Sequence, residues 1–139
     1  MAYNHLYVDS DVLLDLLLER KHFFEYSQLL FIQAKYQQIE LSTSALVIAN
    51  INYIASKKLG AAATKESIRN LLKLVNVLPF ESDIVNKALD SNFADFEDAI
   101  QNFIAERYNC EAIITRNIKD YKQANLPVYT TEQFLNTLN

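Results

Sequence analysis

The chain has 139 residues, half of them hydrophobic, and a net charge of −4. That length suits one domain with a sizeable core, and so apolar a composition excludes disorder. The acidic balance speaks against a protein that coats nucleic acid through bulk positive charge, while leaving room for a nuclease with an acidic pocket and local basic residues.

A single Gly and two Pro predict regular structure, chiefly helix, joined by short polar connections. Cys110 is the only cysteine, so neither an internal disulfide nor a cysteine zinc cluster is available. It is expected to lie in a strand as a small buried hydrophobe. The first residues do not open a signal peptide, and no apolar run approaches ~18 residues. A soluble cytoplasmic protein is the expectation.

Residues 6–9 read as a short buried strand. Residues 12–18 are apolar at almost every position except Asp15, which predicts a helix buried on most sides, with Asp11 as its N-cap. Asp15 either faces solvent or satisfies backbone groups. A second helix, marked by Phe23, Phe24, Leu29, Leu30, Ile32 and Ala34, closes near Gln37. Residues 39–42 alternate at period two and predict a strand. Ser42, Thr43 or Ser44 then caps a helix running through Ala45, Leu46, Ile48, Ala49, Ile51 and Ile54. It stops near Leu59, with Gly60 where a left-handed C-terminal cap would sit. A further helix is expected over 64–74, where Thr64 and Ser67 make only a partial capping box. Residues 75–80 form a short apolar strand, and Ser82 caps a helix through Ile84, Val85, Ala88 and Leu89.

Asp95 or Phe96 opens the next helix, with Ala99, Ile100, Phe103, Ile104 and Tyr108 on one face. Residues 112–115 and 127–130 are strands, and Thr131 and Glu132 begin a last helix with Phe134, Leu135 and Leu138 inward. Short apolar strands separated by helices imply a parallel sheet covered on both faces. Right-handed crossovers bring the strand ends that carry Asp9 and Thr115 to one edge, where sites gather in open α/β sheets.

Three acidic stations meet that pattern. They are Asp9 with Asp11, then Asp95, Glu97 and Asp98, then Asp120 beyond Thr115 and Asn117. Carboxylates gathered at one edge repel unless a cation or a proton joins them, and hard Mg²⁺ or Mn²⁺ prefers such oxygens. A water made acidic by the cation then attacks a phosphodiester phosphorus. The protein needs no nucleophile of its own, and the chain carries no Gly-rich phosphate loop, Ser-His-Asp set or histidine metal motif. Asp9 and Asp98 are the ligand candidates, with Asp120 reaching the same metal directly or through water. Asp95 reads as a cap, Glu97 as solvated, and Asn117 as a cap of the following turn. Arg116 and Lys119 either grip a phosphate or are solvated charges. Lys57, Lys58, Lys65, Arg69 and Lys73 surround one helical hairpin, either as an exposed face or as a local patch touching a nucleic-acid backbone.

Asp9 to Asp15, the run Asp95-Phe96-Glu97-Asp98-Ala99-Ile100-Gln101, and the run Ile113-Ile114-Thr115-Arg116-Asn117-Ile118-Lys119-Asp120-Tyr121 resemble, in this order, the PIN-domain ribonucleases. More narrowly they resemble the VapC-type toxins of bacterial toxin–antitoxin pairs, over nearly the whole chain. The resemblance implies a three-layer α/β/α sandwich around a mainly parallel sheet of four to five strands, filling residues 1–139. It also implies an Mg²⁺- or Mn²⁺-dependent ribonuclease with Asp9, Asp98 and Asp120 as metal-binding catalytic acids. Asn50, Asp95, Thr115 and Asn117 would support them. An RNA substrate, a cognate antitoxin and a homodimer are implied as partners. One position departs from the family: Asn50 stands where a glutamate is usual, which removes a charge and lowers the expected metal affinity. A non-catalytic binding module is therefore the second reading. Asp9-Ser10-Asp11 also resembles the opening of the haloacid dehalogenase phosphatases, but Val12 and Leu13 follow where Gly-Thr is usual.

Overall fold

A computed structural model describes residues 3–36 and 38–138. Five strands form one sheet: β1 (His5–Val8), β2 (Glu40–Ser44), β3 (Val75–Leu78), β4 (Ala112–Ile114) and β5 (Val128–Tyr129). Their order is β3-β2-β1-β4-β5, and every neighbouring pair is parallel. Parallel pairing requires crossovers, and helices supply them. These are α1 (Ser10–Leu17), α2 (Phe24–Lys35), α3 (Ala45–Leu59), α4 (Ala61–Leu71), α5 (Ser82–Asp90), α6 (Phe96–Arg107) and α7 (Thr131–Asn136), with a 3-10 turn at Ile118–Tyr121.

The pleat of β1 explains the layers. Leu6 and Val8 point to one face of the sheet and Tyr7 to the other, and all three are fully buried. On the first face they meet Val12, Leu13 and Leu14 of α1, Leu30 of α2, Ile51 of α3, Leu71 of α4 and Phe134 of α7. On the second, Tyr7 and Ile113 meet Ile84 of α5, Ile100 and Ile104 of α6, and Tyr121. Truncating one such side chain, Leu13→Ala for example, costs about 3 kcal/mol through lost transfer energy and the cavity left behind.

The chain reverses direction across the sheet at β1, first outward to β2 and β3, then back to β4 and β5. That reversal leaves a crevice beyond the carboxyl ends of β1 and β4. Asp9 and Thr115 are the residues that follow those two strands.

The five strands and seven helices follow the order that the apolar periodicity predicts, but α4 lies three residues earlier than expected, β2 runs on to Ser44, β3 stops at Leu78, and several caps differ. Asp9, not Asp11, is the N-cap of α1, because the strand ends at Val8 and the helix starts at once. Ser44, the last of the three candidates, caps α3 by accepting from Val47 N. Gly60 has a positive φ of 86° but an extended ψ of 159°, so it joins α3 to α4 instead of forming a left-handed cap. Thr64 lies inside α4, where its hydroxyl donates back to Gly60 O. Glu81 rather than Ser82 precedes α5 as cap residue. Cys110 is buried as expected but precedes β4 instead of lying in it. Leu138 is 39% exposed, because α7 ends at Asn136 and the chain leaves the core. The end of α2 near Gln37 lies outside the described residues; the helix runs to Lys35.

Candidate active site

Asp9 is held on every side. Its amide donates to Ile114 O at 3.0 Å, which fixes the end of β1 beside the end of β4. Oδ1 accepts from Ser10 N at 2.6 Å and Ser10 Oγ at 3.3 Å. Oδ2 accepts from Thr115 Oγ1 at 2.9 Å and from the Tyr121 hydroxyl at 3.3 Å. Asp9 is 5% exposed, and burial, with the Asp11 charge adding, raises its pKa from the usual aspartate value. The hydrogen bonds from Thr115 and Ser10 oppose that rise, and the nearby side chain of buried Gln101 acts in the same sense.

Asp98 arrives from the other side of the crevice, in the first turn of α6. Asp95 is the N-cap there and accepts from Asp98 N at 3.0 Å. The Asp98 carboxylate turns inward, and its Oδ1 accepts from Tyr121 at 3.4 Å. One phenolic hydroxyl thus reaches both acids, so Asp9 and Asp98 flank a single oxygen atom. Burial, then the charges of Asp9, Asp95 and Asp120, push the Asp98 pKa up to about 7. Like charges crowded into a half-dry crevice disfavour the ionised form until a proton or a cation joins them.

Around this pair the remaining candidates divide. Thr115 is fully buried and binds both Asp9 and, as acceptor, Asn117 N at 3.1 Å. Asp120 is exposed, one turn beyond Asn117, and its charge acts on Asp98. Asn117 does not cap the 3-10 turn through its side chain; its Nδ2 donates to Asp11 Oδ2 at 2.9 Å. Arg116 turns away from the acids toward Asp15, at 3.3 Å, and lies 4.1 Å over the Phe23 ring. Asp15 is neither solvent-facing nor a partner of backbone groups. It is 2% exposed, flanked by Arg116 and by Arg20 at 3.6 Å. Lys119 is exposed. Asn50 does not offer its oxygen to the pair through any hydrogen bond among the described residues; its Nδ2 donates to exposed Glu97 at 3.4 Å. The lysines and arginine of α3, α4 and Lys73 are exposed, with Arg69 paired to Glu66 and Lys57 over the Tyr53 ring.

Sequence reasoning passed over Tyr121, Gln101 and Tyr7. On the second face of the sheet the Tyr7 hydroxyl donates to Gln101 Oε1 at 3.1 Å and lies 3.0 Å from Ser44 Oγ. Their polar tips are invisible in a pattern that reads them as core aromatics and a helix surface. Among the described residues no three His, Cys, Asp or Glu side chains form a ready metal-binding group. Asp9 and Asp98 are nonetheless a fitting donor set for Mg²⁺, which takes one or two carboxylates and keeps several waters.

Known proteins resemble the chain in sequence and in fold. The family model for the PIN domain matches residues 5–119, from β1 into the turn after β4. Ribonuclease VapC1 of Aquifex aeolicus is 28% identical over 100% of this chain and 99% of its own length. A toxin-antitoxin complex from Klebsiella pneumoniae contains a chain that superposes with a TM-score of 0.68 at 22% identity, over 91% of this chain and 97% of that one. FitAcB from Neisseria gonorrhoeae gives 0.69 at 15% identity, over 91% and 98%. At such identities the structures speak for the fold, a parallel sheet between two helical layers. The family model covers most of the chain, including Asp9, Asp98 and Thr115, and on that ground the chain belongs to the PIN domain family.

Proposed function

We propose that the chain is a metal-dependent endoribonuclease that hydrolyses RNA phosphodiester bonds, and that it is the toxin of a type II toxin–antitoxin pair. The observation that carries this reading is the meeting of Asp9 and Asp98 on one hydroxyl. The likeness to Ribonuclease VapC1 and to toxin-antitoxin structures supports it. Mg²⁺ or Mn²⁺, when bound, supplies an acidified water and offsets charge on the phosphoryl oxygens.

The chain's own residues do the rest. Asp9 and Asp98 hold the cation, and Asp120 adds negative charge at the exposed rim. Thr115 orients Asp9 through its 2.9 Å hydrogen bond. Asp95 fixes the start of α6 and so the direction from which Asp98 enters. Asn117 ties the loop after β4 to Asp11. Arg116 and Lys119 flank this loop as candidate contacts for the RNA backbone. A separate antitoxin protein, a homodimer and a cytoplasmic setting complete the reading; among the described residues no helix is long and apolar enough to cross a membrane.

One observation favours a second reading, a PIN-like module that binds RNA or protein without cutting. Asn50 presents an amide, engaged with Glu97, where a carboxylate would strengthen the site. Cleavage of total RNA in Mn²⁺ by wild type and by Asp98→Asn separates the two. A fall of roughly 100-fold or more in the variant supports the enzyme. Equal cleavage by both overturns it. A wild type that cuts no RNA and melts at the same temperature with and without millimolar Mg²⁺ or Mn²⁺ favours the binding module.

A further inference from the structure

We propose that Tyr121 is the positioning residue of this site: its hydroxyl, seated between Asp9 and Asp98, holds the Asp98 carboxylate beside Asp9, where the two would hold one divalent cation. The inference rests on the metal-dependent reading above. Asp9 and Asp98 are anchored very unequally. Asp9 accepts three hydrogen bonds of its own, from Ser10 N, Ser10 Oγ and Thr115, and shares the Tyr121 proton with Asp98. The Asp98 carboxylate accepts one among the described residues, from Tyr121. Without it, nothing hydrogen-bonded would keep that side chain from swinging toward solvent.

The tyrosine is built to be a fixed point. It is 2% exposed and stands edge-on to Phe93, ring centroids 6.2 Å apart, inside the cluster under α5 and α6. It ends the 3-10 turn Ile118–Tyr121, which also carries Asp120. Packing sets the ring, the ring sets the oxygen, and only the proton remains free to rotate about the C–O bond. A phenylalanine would fill the same space without a hydroxyl to desolvate, and a buried hydroxyl needs partners. Here the partners are the two acids themselves. The hydroxyl carries one proton, so it donates to one acid at a time. Each carboxylate oxygen has two acceptor sites, and Asp98 Oδ2 makes no hydrogen bond among the described residues. Tyr121 therefore orients Asp98 while leaving acceptor sites open to a cation.

The test is calorimetric titration of the whole chain with Mn²⁺, with melting temperatures measured in chelator. Tyr121→Phe is expected to melt within a few degrees of wild type and to bind Mn²⁺ about 10-fold more weakly, the scale of losing a group that orients a ligand. Leu71→Ala, in α4 on the opposite face of the sheet from Tyr121, is expected to lower the melting temperature and leave Mn²⁺ affinity within about 2-fold, a small fraction of the loss expected for an orienting group. Equal Mn²⁺ binding by Tyr121→Phe and wild type overturns the proposal. So does an equal loss in Leu71→Ala, which would assign the effect to a general loosening of the fold. A wild type that binds no Mn²⁺ at all overturns the metal-dependent reading itself.

Discussion

Replacing Asp98 with asparagine should stabilise the metal-free protein, although it removes a residue assigned to the active site. An aspartate ordinarily titrates near ~4, and Asp98 is pushed up to about 7 by burial and by its acidic neighbours. Below pH ~4 the group is protonated folded or unfolded and costs nothing. As pH rises from ~4 to ~7 the unfolded chain releases the proton while the folded chain keeps it, so stability falls. Above ~7 the full penalty applies. Three pH steps of about 1.4 kcal/mol each set a ceiling near ~4 kcal/mol. Water reaching the partly exposed carboxylate reduces that to about 2 kcal/mol. Asp98→Asn keeps the shape and the acceptor for Tyr121 but abolishes the charge. Thermal unfolding in chelator at pH 8 should therefore show the variant melting roughly 6 °C above wild type, and the gap should close by pH 4.5. A variant no more stable than wild type at pH 8, or a gap independent of pH, would refute the crowding of Asp98 by Asp9, Asp95 and Asp120.

Thr115→Val removes the 2.9 Å donor to Asp9 with little change in shape. RNA cleavage should fall about 10-fold, and undiminished cleavage would mean that Asp9 needs no such orientation. Asp15→Asn leaves Arg116 and Arg20 without their carboxylate. Burial nevertheless raises the Asp15 pKa against the pull of both arginines, so the neutral variant should unfold at a higher urea concentration than wild type at pH 8, with the difference closing as pH falls. An unchanged midpoint would show the burial of this charge to be energetically idle. Asn50→Glu should tighten Mn²⁺ binding by titration calorimetry, since ligand charge sets much of the affinity of such sites. No change would count against the alignment that places Asn50 at the site.

The fold was legible because its elements are long runs with one dominant period. Val12, Leu13 and Leu14 announce a helix buried on several sides, and Ile113 and Ile114 a strand buried on both. The meeting of Asp9 and Asp98 was foreshadowed as well, because Asp9 follows an apolar strand and Asp98 stands in the first turn of an apolar helix. What escaped depends on direction rather than on pattern. Whether Asp9 or Asp11 caps α1 turns on the residue at which the strand ends. The capping box of α7, Thr130 with Gln133, was hidden by the more obvious Thr131 and Glu132. Asp15 looked like a solvated or backbone-bound acid, since its arginine partners come from a loop five residues on and from the loop after β4. Tyr121 reads as one more core aromatic, and only the arrangement of α6 against the 3-10 turn reveals where its hydroxyl points.

The central claim is that two aspartates distant in sequence jointly hold one hard cation. Anomalous diffraction from crystals soaked in Mn²⁺ addresses it directly. The account predicts a peak in the crevice beyond β1 and β4, within coordinating distance of both Asp9 and Asp98 and lost in Asp98→Asn. A crystal saturated with Mn²⁺ whose peaks all lie elsewhere, or whose peak survives Asp98→Asn undiminished, would contradict it.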